Sequence, residues 1–115
     1  MGYTLIHHTG CGSSKKGLSL LQEHGVEPEV VKYMNKSSRL SEDMLREIAT
    51  KMGGVSPRAF LRDKDALRDG ISEGASDEEI FKAMAQNPKL IQRPIGIHGD
   101  KAVLGRPNAR LLEII

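Results

Sequence analysis

Apolar and polar positions at the start of the chain alternate in a way that predicts a strand, a helix and a second strand. Residues 3–7 alternate between the two kinds, and a glycine-rich turn at 9–13 follows. A helix is predicted over 13–24, because leucines recur along it and Gly25 is a stop signal. The valine-rich residues 29–33 then form the second strand. Such a βαβ unit has a right-handed crossover, so its two strands run parallel.

The middle of the chain contains three helix start signals, each led by a serine. They are Ser41, which precedes two acidic residues, Ser56, which precedes a proline, and Ser76, which forms a capping box with Glu79. The second of these helices is short and covers 58–62. We expect the three helices to form a helical insertion at approximately 36–90.

The last third of the chain returns to strands. Residues 95–98 and 101–104 flank a Gly-Asp pair that is typical of a two-residue hairpin turn. Pro107 then opens a final apolar helix. The order βαβ, helical insertion, ββα is that of the thioredoxin fold, an α/β fold with a four-stranded mixed sheet. In the thioredoxin fold a cis-proline precedes the third strand and faces the reactive cysteine. By analogy, the Arg93–Pro94 peptide bond is expected to be cis.

Composition limits the classes of function. At 115 residues the chain is expected to form a single domain over 1–115. The net charge of +2 is spread without a basic run and aromatic residues are few, so nucleic acid is not an expected partner. No run approaches the roughly 20 apolar residues of a membrane span, and no secretory signal is evident. A single cysteine excludes an internal disulfide and a cysteine-only metal site and fits a reducing compartment, so we expect a cytoplasmic protein without a metal.

The single cysteine, Cys11, lies at the predicted start of the first helix. Unpaired N–H groups and the helix dipole stabilise a thiolate there and attract anions. Lys15 and Lys16 oppose that dipole, a placement that makes better sense if they attract an anion; the alternative is two solvated lysines on an exposed face. Ser14 occupies the place of the resolving cysteine in a Cys-x-x-Cys motif, so a resolving thiol must come from outside the chain.

Two phosphate-binding patterns are excluded, and the two histidines before the cysteine remain open. A Cys-x5-Arg phosphatase loop would need arginine where Gly17 stands, and the spacing of a P-loop is absent. His7 and His8 are neighbours at the end of a strand, so their side chains point to opposite faces and cannot easily share a metal. One of them is a candidate to pair with the Cys11 thiolate; the alternative is an ordinary hydrogen-bonded histidine.

Several segments carry a family resemblance over nearly the whole chain, in order and without large gaps. They are 7–18, similar to the pattern H-N-P-x-C-x-x-S-R-x-x-L, Glu27–Pro28 with the valine-rich strand, the arginine-bearing segment 56–62, and the two Arg-Pro segments 87–95 and 104–107. On these segments the chain resembles the glutaredoxin-coupled arsenate reductase family.

The resemblance implies an oxyanion site and a reaction. The implied site residues are Cys11 as nucleophile, Arg62, Arg93 and Arg106 as the oxyanion clamp, His7 as a group that tunes the cysteine, and Ser14 and Lys15 in the loop. Planar guanidinium groups suit the oxygens of a tetrahedral dianion. The implied reaction is reduction of arsenate to arsenite through a cysteine–arsenic adduct. Glutathione is the implied co-substrate, glutaredoxin the implied partner, and no cofactor is bound.

The chain departs from the family pattern at three positions, and two alternatives stay open. His8 and Thr9 replace an Asn-Pro pair, and Lys15 replaces an arginine. One alternative is a glutathione-dependent reductase or binder of another oxyanion or thiol. The other is a non-enzymatic regulator like the Spx proteins, which share the fold and bind RNA polymerase. Retention of the three arginines favours the reductase, and the missing second cysteine argues against a Cys-x-x-Cys switch.

Overall fold

A computed structural model describes residues 2–8, 10, 12–35 and 39–115. The helices are α1 (Gly12–Glu23), α2 (Glu42–Lys51), α3 (Asp63–Arg68) and α4 (Asp77–Gln86), and the strands are β1 (Tyr3–His7), β2 (Glu29–Lys32), β3 (Ile95–His98) and β4 (Lys101–Leu104). Three 3₁₀ helices cover Pro57–Phe60, Pro88–Leu90 and Asn108–Ile114. Cys11 lies outside the described residues.

The strands form one mixed sheet in the order β2-β1-β3-β4. β1 pairs in parallel with β2 and antiparallel with β3, and β3 pairs antiparallel with β4. Gly99 in the β3–β4 turn has a positive φ of 64°, which glycine adopts at no steric cost. The predicted thioredoxin-like sheet, with its parallel βαβ unit and its terminal hairpin, is confirmed.

Side chains alternate between the two faces of the sheet and build a separate core on each. On one face, called the α1 face here, Tyr3 and Leu5 pack with buried residues of α1 and of the last 3₁₀ helix. On the other, called the helical-segment face, Ile6 and Ile95 pack against the helices that lie between β2 and β3. The strand period of two therefore decides which side of the protein each β1 residue faces.

The α1 face is closed by very short approaches between elements. A Cβ added at Gly17 would lie 2.8 Å from Leu111 Cδ1 and 3.0 Å from Pro94 Cγ, so α1 reaches this depth only because position 17 has no side chain. The Tyr3 hydroxyl donates to the Leu111 carbonyl at 2.8 Å. Burial raises the pKa of Tyr3 strongly, which keeps this hydroxyl a donor.

The helical segment agrees with two of the three predicted helices and differs at the third. Ser41 and Ser76 cap α2 and α4, each accepting from the N–H three residues on. The helix predicted over 58–62 is a 3₁₀ helix that ends at Phe60, because Leu61 turns extended to pair with Ile91. Helix α3 follows directly and was not predicted; no side-chain cap marks its start.

The final helix is a 3₁₀ helix rather than the α-helix suggested by its apolar residues. Leu111 is its buried residue, and Asn108, Leu112 and Ile114 are half-buried. Positions 108, 111 and 114 follow the three residues per turn of a 3₁₀ helix. Asn108 contacts α1, Leu111 fills the α1-face core, and the Ile114 carbonyl lies 2.6 Å from His98 Nδ1.

Candidate functional site

A backbone bridge between Leu61 and Ile91 holds the segment that ends in Arg62 beside the segment that leads to Arg93. Two backbone hydrogen bonds of 2.7 Å flank the bridge, one donated by the N–H of Arg62 and one by the N–H of Gln92. Buried backbone groups need such partners, so the bridge satisfies them and fixes the two segments in register. It brings two of the predicted site arginines to one edge of the helical segment.

The third predicted arginine is tied to the second through the main chain. Arg106 Nε donates to the Arg93 carbonyl at 2.8 Å. The N–H of Gly105 donates to the Pro94 carbonyl, also at 2.8 Å. The Arg93–Pro94 bond is cis, as predicted, and the Arg106–Pro107 bond is also cis. The structure thus joins the segments of all three arginines at the start of β3 and the end of β4.

Tyr33 contacts the Arg93 side chain from the helical-segment core. Its ring is fully buried in the helical-segment core. Its hydroxyl donates to the Ile91 carbonyl at 3.2 Å and accepts from Arg93 Nη1 at 3.4 Å. Sequence reasoning placed Tyr33 only at the end of a strand and missed this contact, because it joins residues 60 positions apart.

An open cavity of about 340 Å³ lies beside these segments. Its lining residues are Arg62, Asp63, Lys64, Asp65, Gln92 and Arg106. Arg62 Nε donates to Asp65 Oδ2 at 2.8 Å. Two predicted clamp residues therefore face one cavity, together with a carboxylate that sequence reasoning did not consider.

The loop that carries Cys11 is described on both sides of the cysteine. Ser14 is fully buried at the start of α1, and its hydroxyl accepts from the His8 N–H at 3.3 Å. Ser14 therefore anchors the strand end to the helix start across the loop. This contact gives the predicted loop residue a structural task whatever the role of Cys11, whose own geometry lies outside the described residues.

Asn108 ties the start of α1 to the segment before Arg106. Its Nδ2 donates to the Ser13 carbonyl and to the Gly105 carbonyl, both at 3.0 Å. Residue 13 lies two positions after the cysteine, and residue 105 directly precedes an arginine. One side chain therefore connects the cysteine loop to the arginine side of the site, a link that no local sequence signal marks.

His7, the histidine expected to tune the cysteine, lies on the α1 face and is 4% exposed. Its Nδ1 has no hydrogen-bond partner within the described part of the chain. The pKa of His7 is lowered, first by burial and then by the positive charges of His8, Lys32 and Lys15. The imidazole of His7 is therefore held in its neutral form near neutral pH.

His8 lies on the opposite face, the one that carries the arginines. Its ring stands over Gly10, where an added Cβ would lie 3.4 Å from Cε1 and Nε2. The pKa of His8 is lowered by burial first and then by the charges of Arg93 and Arg62. The structure therefore places His8, rather than His7, in the electric field of the predicted clamp.

Lys15 and Lys16 are exposed in the first turn of α1, as their positions predicted. With Asn108 they border a wide, shallow cleft of about 410 Å³. The first turn of α1 has no acidic residue, so the two lysines add to the positive potential near the start of this helix.

Residues 2–8, 10, 12–35 and 39–115 contain neither a metal-binding cluster nor a membrane-spanning helix. No group of three or more His, Cys, Asp or Glu side chains there could hold a metal ion. None of the helices in these ranges has the length and apolar character needed to cross a membrane.

Comparison with known proteins shows the family. The profile of the ArsC family matches residues 6–114. The chain belongs to the ArsC family. This confirms the resemblance drawn from the sequence motifs.

Several relatives are similar to this chain along nearly their whole length. The arsenate reductase of Haemophilus influenzae strain Rd is 36% identical over 118 residues, covering 100% of both chains. The uncharacterized protein YfgD of Escherichia coli K12 is 37% identical, covering 96% of this chain and 94% of its own. The solved structure of an arsenate reductase from Vibrio cholerae superposes with a TM-score of 0.90 at 34% identity, covering 100% of this chain and 98% of that one.

Proposed function

We propose that the chain is an arsenate reductase in which Cys11 is the nucleophile and the Arg62, Arg93 and Arg106 side chains clamp the oxyanion. Glutathione and glutaredoxin supply the electrons. The observation that carries the proposal is the joining of three arginine segments, from three separate parts of the sequence. Asn108 links the last of them to Ser13, two residues after the only cysteine in the sequence. The names of the Haemophilus and Vibrio relatives support the same activity.

The reaction begins with the Cys11 thiolate. It attacks arsenic, a sulfur–arsenic bond forms, and one oxygen leaves as water after protonation. Guanidinium groups balance the oxyanion charge through paired N–H donors, as donors aimed at developing negative charge do in other enzymes. One external thiol then replaces a second oxygen on arsenic, which leaves as water, and another attacks the sulfur of that thiol, so that the two leave as a disulfide and arsenic(V) becomes arsenic(III). Water finally cleaves the bond between Cys11 sulfur and arsenic, which releases arsenite and returns the Cys11 thiol.

The electrostatics of the described residues agree with this chemistry. Both histidines before Cys11 have lowered pKa values, through burial first, so neither adds a fixed positive charge at neutral pH. The permanent positive charge comes from Lys15, Lys16 and the arginines, which stay protonated. The pKa of His8 is lowered near Arg93 and Arg62, and a neutral imidazole there can donate one hydrogen bond and accept another, so it adds a polar group beside the clamp without adding charge.

A second candidate function is reduction of another oxyanion by the same residues. It is favoured by His8, which stands where the family pattern has asparagine and which changes the donors beside the clamp. The arginines that serve both candidates are the same, so the substrate distinguishes them. A regulator without catalysis would not need three arginine segments that are joined to one another.

The test is arsenate-dependent oxidation of NADPH in an assay coupled through glutathione, glutaredoxin and glutathione reductase. Wild type is compared with Cys11→Ser, after circular dichroism has shown that both are folded. We expect turnover in wild type and none in the serine variant. Equal rates in the two proteins would contradict the mechanism, and turnover with another oxyanion only would select the second candidate.

A further inference from the structure

We infer that Asp65 is a positioning residue that orients Arg62 for oxyanion binding. The inference rests on the proposed function, because it assigns a task to the neighbour of one clamp residue. Asp65 follows Arg62 by three residues, one turn of the chain, and both side chains line the same cavity. The contact between them uses one particular atom of the guanidinium group.

The bond from Arg62 Nε to Asp65 Oδ2 measures 2.8 Å, a length typical of a charge-assisted hydrogen bond. Both side chains are partly enclosed, with 31% of Arg62 and 25% of Asp65 exposed. Water therefore competes with this pair less than it does with fully exposed ion pairs. The carboxylate holds one edge of the guanidinium plane.

A guanidinium group has five N–H donors, one on Nε and four on Nη1 and Nη2, in a rigid plane. When Nε is held, the orientation of the plane is set and the two Nη atoms form the remaining fork. Within the described residues, neither Nη atom of Arg62 has a hydrogen-bond partner. The fork that binds a tetrahedral oxyanion end-on is therefore the part that Asp65 leaves available.

Arg106 is held through the same atom. Its Nε donates to the Arg93 carbonyl at 2.8 Å, and its two Nη atoms have no partner among the described residues. Arg62 and Arg106 come from different elements and line one cavity of about 340 Å³. One is fixed by a carboxylate and the other by a main-chain carbonyl, so both present the same end of the guanidinium group.

Arg58 shows the opposite use of an arginine in the same short segment. Its Nη2 donates to three main-chain carbonyls, those of Ser72, Glu73 and Ala75, at 2.7–3.1 Å. The end of that guanidinium group is consumed by the loop between α3 and α4. Arg58, which has a structural role, uses Nη2 for its hydrogen bonds within the protein. Arg62 and Arg106, which line the cavity, use only Nε.

The chain offers a matched control for the carboxylate. Arg68 Nη1 lies 3.9 Å from Asp65 Oδ1, and its side chain is 81% exposed. Removing Arg68 takes away the other cation beside Asp65 without touching the Arg62 Nε bond. If the ion pairs of Asp65 only stabilised the α3 turn, removing Asp65 and removing Arg68 would have similar effects on activity.

The test compares Asp65→Ala, Asp65→Asn and Arg68→Ala, each alone and combined with Arg62→Ala. Asp65→Ala is expected to raise the KM for arsenate and lower kcat/KM by about tenfold or more, since small misplacements of a binding group cost up to about a hundredfold. Asp65→Asn keeps an oxygen that accepts from Nε and should recover most of that loss. Arg68→Ala should stay close to wild type, and Asp65→Ala should have no further effect once Arg62 is alanine.

Three results would overturn the inference: an unchanged kcat/KM in Asp65→Ala, an equal loss in the Arg62→Ala background, or an asparagine variant as poor as the alanine variant. A structural readout accompanies the kinetics. The Arg62 Nε–H resonance should exchange slowly with water in wild type and Asp65→Asn and rapidly in Asp65→Ala. Slow exchange in the alanine variant would show that Asp65 does not hold Nε.

A second readout separates this inference from the proposed function. Because the chain has one cysteine, the rate of its alkylation by iodoacetamide, with and without arsenate, reports anion binding without turnover. If wild type is protected by arsenate but does not turn it over, the reductase proposal fails, and protection in the variants still decides the role of Asp65. If arsenate gives wild type no protection and no turnover, both proposals fail.

Discussion

The two faces of the sheet are built in different ways, and the candidate site lies where they meet. The α1 face has a small core of Tyr3, Leu5, Leu21, Val103 and Leu111. It is closed by the short approach of α1 at Gly17. The helical-segment face has a core about three times as large, taken from many short helices. The first face packs against α1, the helix that begins directly after Cys11 in the sequence, and the second is linked to the arginine segments through the bridge at Leu61 and Ile91.

This difference shows how one site can be assembled from two faces of different construction. The α1 face depends on a few close contacts, and the helical-segment face depends on a large core. On the α1 face, a few atoms fix the position of the helix, so added volume is the main hazard. On the helical-segment face, one bridge between Leu61 and Ile91 places Arg62 near Arg93, so loss of packing volume beneath that bridge is the main hazard. The predictions below separate these two sensitivities.

The largest expected effect is on the helical-segment face. Phe60→Ala removes a fully buried ring directly beside the bridge and should lower the free energy of unfolding by about 3–5 kcal/mol. Leu67→Ala is the control, because Leu67 is 69% exposed and should change stability by less than about 0.5 kcal/mol. Urea denaturation measures both. Similar losses in the two variants would contradict the packing assigned to Phe60.

The next effect is overpacking on the α1 face. Gly17→Ala places a methyl group 2.8 Å from Leu111 and 3.0 Å from Pro94. Gly12→Ala, in the same helix, meets nothing within 4 Å. The first variant should be less stable than the second by about 1–3 kcal/mol, the usual cost of overpacking. Melting temperatures that agree between the two would show that the α1 face can yield.

Replacing Arg58 should mainly lower stability, whereas replacing Arg62, four residues later, should mainly lower activity. Arg58→Ala removes three hydrogen bonds to main-chain carbonyls and should cost about 1 kcal/mol of stability. Arg62→Ala breaks a partly exposed ion pair worth about 0–1 kcal/mol, yet should slow arsenate turnover about a hundredfold, as loss of an oxyanion donor does. Denaturation and the coupled assay measure the two effects. A larger loss of activity in Arg58→Ala would reverse the assignment.

The smallest expected effect is a dependence of stability on pH at His7. The pKa of His7 in the folded protein is lowered, mainly by burial, so between that pKa and about 6.5 the unfolded chain binds more protons than the folded one. Stability is therefore full above about pH 6.5 and falls as the pH drops below it. His7→Gln should flatten this dependence, whereas His24→Gln, at an exposed position, should preserve it. Parallel pH profiles of wild type and His7→Gln would refute the prediction.

Local signals in the sequence predicted the strands, the hairpin turn and the two capped helices, because each depends on neighbouring residues only. Ser41 and Ser76 cap their helices as the capping patterns indicate. Helix α3 could not be predicted in this way, since its N-cap residue, Arg62, makes no side-chain cap hydrogen bond. The sequence predicted a helix after Pro107 but not its 3₁₀ geometry, because that geometry depends on packing against α1.

The positions of the three site arginines were predicted from the resemblance to the family motifs. The groups that hold these arginines were not predicted and are seen only in the structure. Tyr33, Asp65 and Asn108 all act through contacts that the strand and helix periods do not encode. The period of two predicted that His7 and His8 face opposite sides. It could not predict which side carries the arginines, because that depends on where the helical segment packs. The role of Cys11 stays a prediction.

The most direct test of the central claim is an anomalous difference map at the arsenic absorption edge, from crystals of the protein soaked in arsenate. The account predicts one arsenic peak beside Cys11 Sγ, with the Nη atoms of Arg62 and Arg106 at hydrogen-bond distance from its oxygens. A peak elsewhere on the protein, or no peak in crystals whose cysteine remains reduced, would contradict the claim that these residues form one oxyanion site.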